Sequence, residues 1–72
     1  MYAIVSYFTT IYGQQHEATL EYADSEAYGL QRMRNWAAYH GALDRLSPDG
    51  LYFDKENGTT FRLEYAGEQE QS

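Results

Sequence analysis

The residues of this chain that could carry out chemistry are two histidines, the serines and the carboxylates. His16 and His40 stand 24 positions apart. A zinc site would need further nitrogen, sulfur or carboxylate ligands at helical or hairpin spacing, and none is arranged around either histidine. The chain also lacks cysteine, which excludes thiolate ligands and disulfides. We therefore predict no metal site, and we expect His40 to be partly buried with one hydrogen bond.

Other kinds of catalytic machinery are missing from the sequence as well. The serines belong to no nucleophile motif. The six glycines are scattered rather than gathered in a phosphate-binding loop. Glu17 and Glu21 form a carboxylate pair on one predicted strand face, where no pocket would raise a pKa. These patterns predict a protein that is not an enzyme, needs no cofactor and acts by binding.

Two strands joined by a turn are predicted in the first third of the chain. Residues 2–11 are rich in β-branched and aromatic side chains and are apolar on both faces, which is typical of a central strand. The sequence does not decide which face of this strand is directed towards the core. Residues 12–15 form a turn with Gly13 at positive φ. Residues 16–22 alternate, with Ala18, Leu20 and Tyr22 predicted inward and Glu17, Thr19 and Glu21 outward.

A helix is predicted from residue 24 to about residue 46. Asp24 or Ser25 can cap its first turn. Gly29 predicts a close approach to the sheet, and Gly41 predicts a kink or an early end. The apolar face follows helical spacing and consists of Leu30, Met33, Trp36, Ala37, His40 and Leu43.

A second hairpin follows the turn signal of residues 47–50. Residues 51–55 and 59–65 are predicted strands around a three-residue loop with Gly58 left-handed. That loop pairs Phe53 with Phe61, whereas a two-residue loop would pair Phe53 with Arg62 and mix core with surface. The predicted outer face is Tyr52, Asp54, Thr60, Arg62 and Glu64.

The order β-β-α-β-β predicts an α+β fold, with one antiparallel sheet and the helix packed on one face. With 72 residues the chain forms one domain, which we place at residues 1–66 with a flexible acidic tail at 67–72. The start lacks the basic region of a signal peptide, and no apolar run approaches the length of a bilayer span. We therefore expect a cytoplasmic protein.

The distribution of charge is the most informative feature of the sequence. The net charge is −6, which argues against direct binding to nucleic acid or to anionic membranes and favours a basic partner protein. Arg32, Arg34 and Arg45 lie in the predicted helix, whereas acids concentrate on strands and turns. Carboxylates two positions apart on a strand are separated by about 6.6 Å, which approximates the charge spacing of a nucleic-acid backbone.

Tyrosine supports a binding role, because eight tyrosines exceed the needs of so small a core. Tyrosine is enriched in the residues that dominate binding energy at interfaces, and Tyr52 lies among the acids of the second hairpin. The candidate partner-binding residues are Glu17, Glu21, Asp24, Asp54, Glu56, Glu64 and Tyr52.

In size, acidity, lack of cysteine and lack of catalytic residues, the chain resembles the small phage-encoded anti-CRISPR and anti-restriction proteins. The resemblance extends over the whole chain and is one of composition, without a diagnostic motif. It implies an inhibitor that blocks nucleic-acid binding by a bacterial defence complex, as a DNA mimic, in the cytoplasm of the host.

Several alternatives stay open at this stage. The acidic face could be a solvated surface that keeps a small domain soluble. The helix, through Arg32 and Arg34, could contact a protein instead. The two-sided apolar first strand and the thin core also fit a homodimeric assembly protein. A small enzyme is the last alternative.

Overall fold

The computed structural model describes residues 1–67, which form a four-stranded antiparallel sheet with one helix packed against one face. The strands are β1 (Tyr2–Thr9), β2 (Gln15–Ala23), β3 (Tyr52–Asp54) and β4 (Thr60–Tyr65), in the spatial order β2-β1-β4-β3. Helix α1 spans Glu26–Tyr39, and a 3-10 turn follows at Leu43–Arg45. The predicted α+β fold and element order are confirmed. Of the tail predicted at residues 67–72, residues 68–72 lie outside the described part of the chain.

Strand β1 lies in the middle of the sheet, as its two-sided apolar pattern predicts. It pairs with β2 on one side and β4 on the other, and its residues Ala3 to Ser6 are buried. Ile4 faces α1 and is fully buried, in a core that includes Met33 of the helix and Phe61 of β4. The even-numbered face of β1 is therefore the inward one, which the sequence left undecided.

The β3–β4 hairpin has the predicted three-residue loop. The backbone N–H of Lys55 donates to the carbonyl of Thr59 at 2.8 Å, and Gly58 adopts the left-handed conformation with φ 87°. Phe53 therefore pairs with Phe61, and their rings stack with centroids 4.8 Å apart.

The β1–β2 hairpin uses the same kind of loop. The N–H of Thr10 donates to the carbonyl of Gln14 at 2.8 Å, and Gly13 has φ 81°. The predicted positive φ at Gly13 is confirmed, but β1 ends two residues earlier than expected. Ile11 and Tyr12 instead form the hairpin tip, where they are 92% and 86% exposed.

Helix α1 begins and approaches the sheet as its sequence predicts. Ser25 is the N-cap, and its Oγ accepts a hydrogen bond from the N–H of Tyr28. A Cβ atom at Gly29 would lie 2.8 Å from Leu63 Cδ1. Glycine at this position thus allows the helix to pack closely on β4.

The end of α1 corrects the prediction that the helix continues to about residue 46. It ends at Tyr39, because Gly41 adopts φ 67° and terminates the turn. The N–H of Ala42 then donates to the Ala37 carbonyl at 2.7 Å, and that of Gly41 to the Ala38 carbonyl at 3.1 Å. These two bonds form a Schellman motif, in which a left-handed glycine satisfies the last helical carbonyls.

Candidate protein-binding face

The face of the sheet opposite α1 carries no further layer in the described part of the chain, and we call it the outer face. Strand register arranges its side chains in rows that cross the strands from β2 to β3. The first row is Glu17, Tyr7, Thr60 and Asp54. The second row is Thr19, Val5, Arg62 and Tyr52. The third row is Tyr22, Ala3 and Glu64.

A β-bulge in β2 overturns the predicted orientation of Glu21. Register shifts between Ile4 and Val5 of β1, so that Ile4 pairs with Glu21 and Val5 pairs with Thr19. The extra residue, Leu20, packs against the core. Because a bulge interrupts strict alternation, Glu21 faces α1 and Tyr22 faces outward, the reverse of the sequence prediction.

Glu21 is held by two residues of the helix instead of facing solvent. Arg32 Nε donates to its carboxylate oxygens at 3.0 and 3.2 Å, and Trp36 Nε1 donates at 2.6 Å. The Arg32 guanidinium balances the charge of the carboxylate, which connects β2 with α1. We therefore remove Glu21 from the candidate partner-binding residues and assign it a structural role.

Glu64 lies on the outer face and accepts a hydrogen bond from the hydroxyl of Tyr7. That hydrogen bond, together with burial and the charges of Glu64 and Glu17, raises the pKa of Tyr7 to about 12, although Arg62 acts in the opposite direction. Tyr7 is therefore a neutral donor that fixes the Glu64 carboxylate. Val5, in the row between them, is 5% exposed although no element of residues 1–67 covers this face.

The remaining acids of the outer face are widely spaced. Glu17 and Asp54 stand at opposite ends of one row, three strand spacings or about 14 Å apart. Glu64 is four residues from the Thr60 row, or about 13 Å. Arg62 lies in the row between Thr60 and Glu64. The regular 6.6 Å succession of carboxylates is therefore absent from the described residues, because no two same-face neighbours on a strand are both acidic.

The other two acidic candidates lie away from the outer face. Asp24 is exposed in the turn between β2 and α1. Glu56 lies in the β3–β4 loop, where its carboxylate is 3.8 Å from Arg45 Nη2 with its side chain 80% exposed. The structure thus places Glu17, Asp54 and Glu64 at separate points of the outer face. Asp24 and Glu56 lie off that face.

Tyrosines accompany the acids on the outer face. Tyr52 is 46% exposed opposite Arg62, as its sequence position predicts. Tyr22 is 59% exposed on the same face, although strict alternation along the strand predicts it to face inward. The outward orientation of Tyr22 follows from the bulge, and no signal in the sequence predicts that bulge.

Residues 1–67 contain no group of three or more His, Asp and Glu side chains that could hold a metal ion. His40 packs between the rings of Trp36, Tyr39 and Phe61. Its Nε2 is buried without the expected hydrogen-bond partner, and burial followed by the charge of Lys55 lowers its pKa. Among the described elements no helix has the length and apolarity to span a bilayer.

Neither a protein-family model, nor a curated protein, nor a solved structure matches the chain.

Proposed function

We propose that this protein is a binding domain whose outer face contacts a basic surface of a partner protein. The observation that supports the proposal is the open sheet face on which three carboxylates, Glu17, Asp54 and Glu64, lie on the same surface as exposed tyrosines. Carboxylates at separate points suit individual Lys and Arg side chains, and tyrosine rings supply apolar contact area between them.

The proposed consequence of binding is inhibition. A partner surface that is basic and complementary to this face is the kind of surface that proteins use to hold nucleic acid. A domain that covers it would compete with DNA or guide RNA, as an anti-CRISPR protein does, in the cytoplasm of a bacterial host. Competition by occupation of the surface is favoured over imitation of a phosphate row, because Glu21 and Glu56 are each paired with an arginine.

The test uses variants on the β3 side of the outer face, where side chains are exposed. We expect the double variant Asp54→Lys with Tyr52→Ala to capture its partner from a bacterial lysate about tenfold less well than the wild type. The matched control is Asp44→Lys with Tyr12→Ala, which changes an exposed acid and an exposed tyrosine elsewhere. Added DNA should release the partner from the wild-type protein. Equal capture by both double variants, or DNA that releases nothing, would contradict the proposal.

A further inference from the structure

The two edges of the sheet differ in whether their outward backbone groups are already bonded. At the β3 edge, the N–H of Ser47 donates to the Tyr52 carbonyl at 2.9 Å, and the N–H of Tyr52 donates to Ser47 Oγ at 3.2 Å. This strand is also only three residues long. The chain therefore occupies the outward backbone groups of Tyr52, and the short β3 edge offers little for another strand to pair with, which is one way that natural sheets limit pairing at an edge.

The β2 edge is long and unbonded. The hydrogen bond from Thr10 to Gln14 fixes the alternation of the antiparallel ladder, so that His16 and Ala18 bond to β1. The intervening residues direct their N–H and C=O groups away from β1. No described residue of the chain bonds to those groups. The outward positions are Gln15, Glu17 and Thr19, all of them exposed.

A groove of about 430 Å³ lies along the flank of α1 beside this edge, lined by Arg32, Asn35, Trp36 and Tyr39. It faces β2, because Arg32 and Trp36 both bond to Glu21 of that strand. Tyr39 is 82% exposed, and Ala18, on the same side of the sheet, is exposed as well. The other flank of α1 instead faces the segment 46–50.

We propose that β2 is the docking edge for an extended segment of a partner protein, which adds as a fifth strand with apolar side chains in the α1 groove. Strand addition draws affinity from the unbonded backbone groups and specificity from pockets that accept alternate side chains. The site shares Glu17 with the outer face, but it depends on the edge backbone of β2 and on the α1 groove. Variants at Asp54 and Tyr52 therefore test the function proposed above without changing this site.

The position of each side chain sets the chemistry of the added segment. Its residues opposite His16 and Ala18 face the helix side, where the rings of Trp36 and Tyr39 favour apolar side chains. Its central residue, opposite Glu17, faces the other way, where a Lys or Arg would form a cross-strand charge pair. The segment therefore alternates apolar residues with a basic one.

Charge favours such a segment over a second copy of this chain. Another copy would bring a further net charge of −6 and a second Glu17 to the same edge. Acids that meet across paired strands are destabilising. A basic segment from a different protein meets no such repulsion.

The probe is the acetylated and amidated pentapeptide Thr-Ile-Lys-Ile-Thr, with Thr-Ile-Glu-Ile-Thr as its matched control, titrated into the labelled protein and followed by NMR. We expect saturable shifts of the amides of Gln15, Glu17 and Thr19 and of the Trp36 indole. The Lys peptide should bind about fivefold or more tightly than the Glu peptide, given the cross-strand charge pair.

Two pairs of variants locate the binding. Thr19→Pro removes an outward N–H without removing a bond to β1, so it should abolish the shifts, whereas Thr19→Val should retain them. If Thr19→Pro does not fold, Tyr39→Ser is the variant that tests the proposal, because the Tyr39 side chain is exposed. It should weaken binding at least about threefold, while Tyr12→Ser, an equally exposed tyrosine on the hairpin tip, should not.

Three outcomes would overturn the proposal. The first is no saturable shift at millimolar peptide. The second is shifts confined to the outer face, around Tyr52 and Asp54. The third is a concentration-dependent shift of the β2 amides without peptide, which would assign the edge to a second copy of the chain.

Discussion

The role of a side chain in this domain depends on the face of the sheet to which it is directed, and Glu21 shows this most clearly. Its carboxylate receives donors from Arg32 and Trp36, eleven and fifteen residues away in sequence. The carboxylate of Glu17, four residues earlier, lies exposed on the outer face. The two glutamates look equivalent in sequence. Glu21 nevertheless joins β2 to α1, whereas the charge of Glu17 is available to a partner.

This difference predicts unequal effects on stability. Glu21→Ala leaves a guanidinium and an indole N–H without their acceptor, so we expect a loss of about 1–2 kcal/mol in the free energy of unfolding. Glu17→Ala removes an exposed side chain and should change the same quantity by less than about 0.5 kcal/mol. Urea denaturation of both variants checks the prediction, which equal effects would contradict.

His40 makes the free energy of unfolding depend on pH below about pH 6.5. Burial lowers its pKa in the folded state from 6.5. Above about pH 6.5 both folded and unfolded states are neutral at this residue. Below that pH the unfolded chain takes up a proton that the folded one resists. The free energy of unfolding therefore falls as the pH drops towards the folded pKa.

Replacement of the histidines tests this contribution. We expect His40→Phe to reduce the slope of unfolding free energy against pH between about pH 6.5 and pH 5. His16→Gln, which replaces the exposed histidine of β2, is the matched control. The measurement is urea denaturation at a series of pH values, and an unchanged slope in His40→Phe would exclude His40 as its source.

At the scale of elements, glycines decide where the segments end. The Schellman motif at Gly41 ends α1 and directs the chain back towards β3. Gly41→Ala places a Cβ in the left-handed region, so we expect it to lower the unfolding free energy by about 1–2 kcal/mol. Gly41→Asn should cost less, because asparagine tolerates this conformation better. Thermal denaturation in which Ala is as stable as Gly would refute this explanation of the helix end.

The elements that could be predicted from the sequence are those fixed by local signals. Gly58 and the pairing of Phe53 with Phe61 were predictable, because only the three-residue loop keeps both aromatic rings on the buried face. The bulge of β2 was not, because it depends on Leu20 reaching the core and on Glu21 finding donors in a helix far along the chain. That one feature decided which acids belong to the candidate face.

At the scale of the whole molecule, the sheet is asymmetric about its central strands. Strand β1 is paired on both sides and buried at Ala3 to Ser6, whereas β2 has one unbonded edge. We therefore expect the amides of β1 to be the slowest to exchange with deuterium. Within β2, the amides of His16 and Ala18 should exchange more slowly than those of Glu17 and Thr19.

Residue-resolved hydrogen exchange by NMR measures this pattern. A dilute sample removes the effect of self-association, and the alternation along β2 should persist there. Uniform protection along Gln15 to Thr19 would show that the edge is already covered, and it would contradict the assignment of outward N–H groups.

The self-closure of the β3 edge by Ser47 also limits how this protein can polymerise. A sheet with two open edges can accept strands at both sides and grow into a filament. In the described part of the chain β2 is the longer unbonded edge, so a second molecule that pairs through its own β2 would occupy both long edges and leave the short β3 edges at the two ends. Disruption of the Ser47–Tyr52 bonds would reopen the second side and make the domain prone to fibril formation.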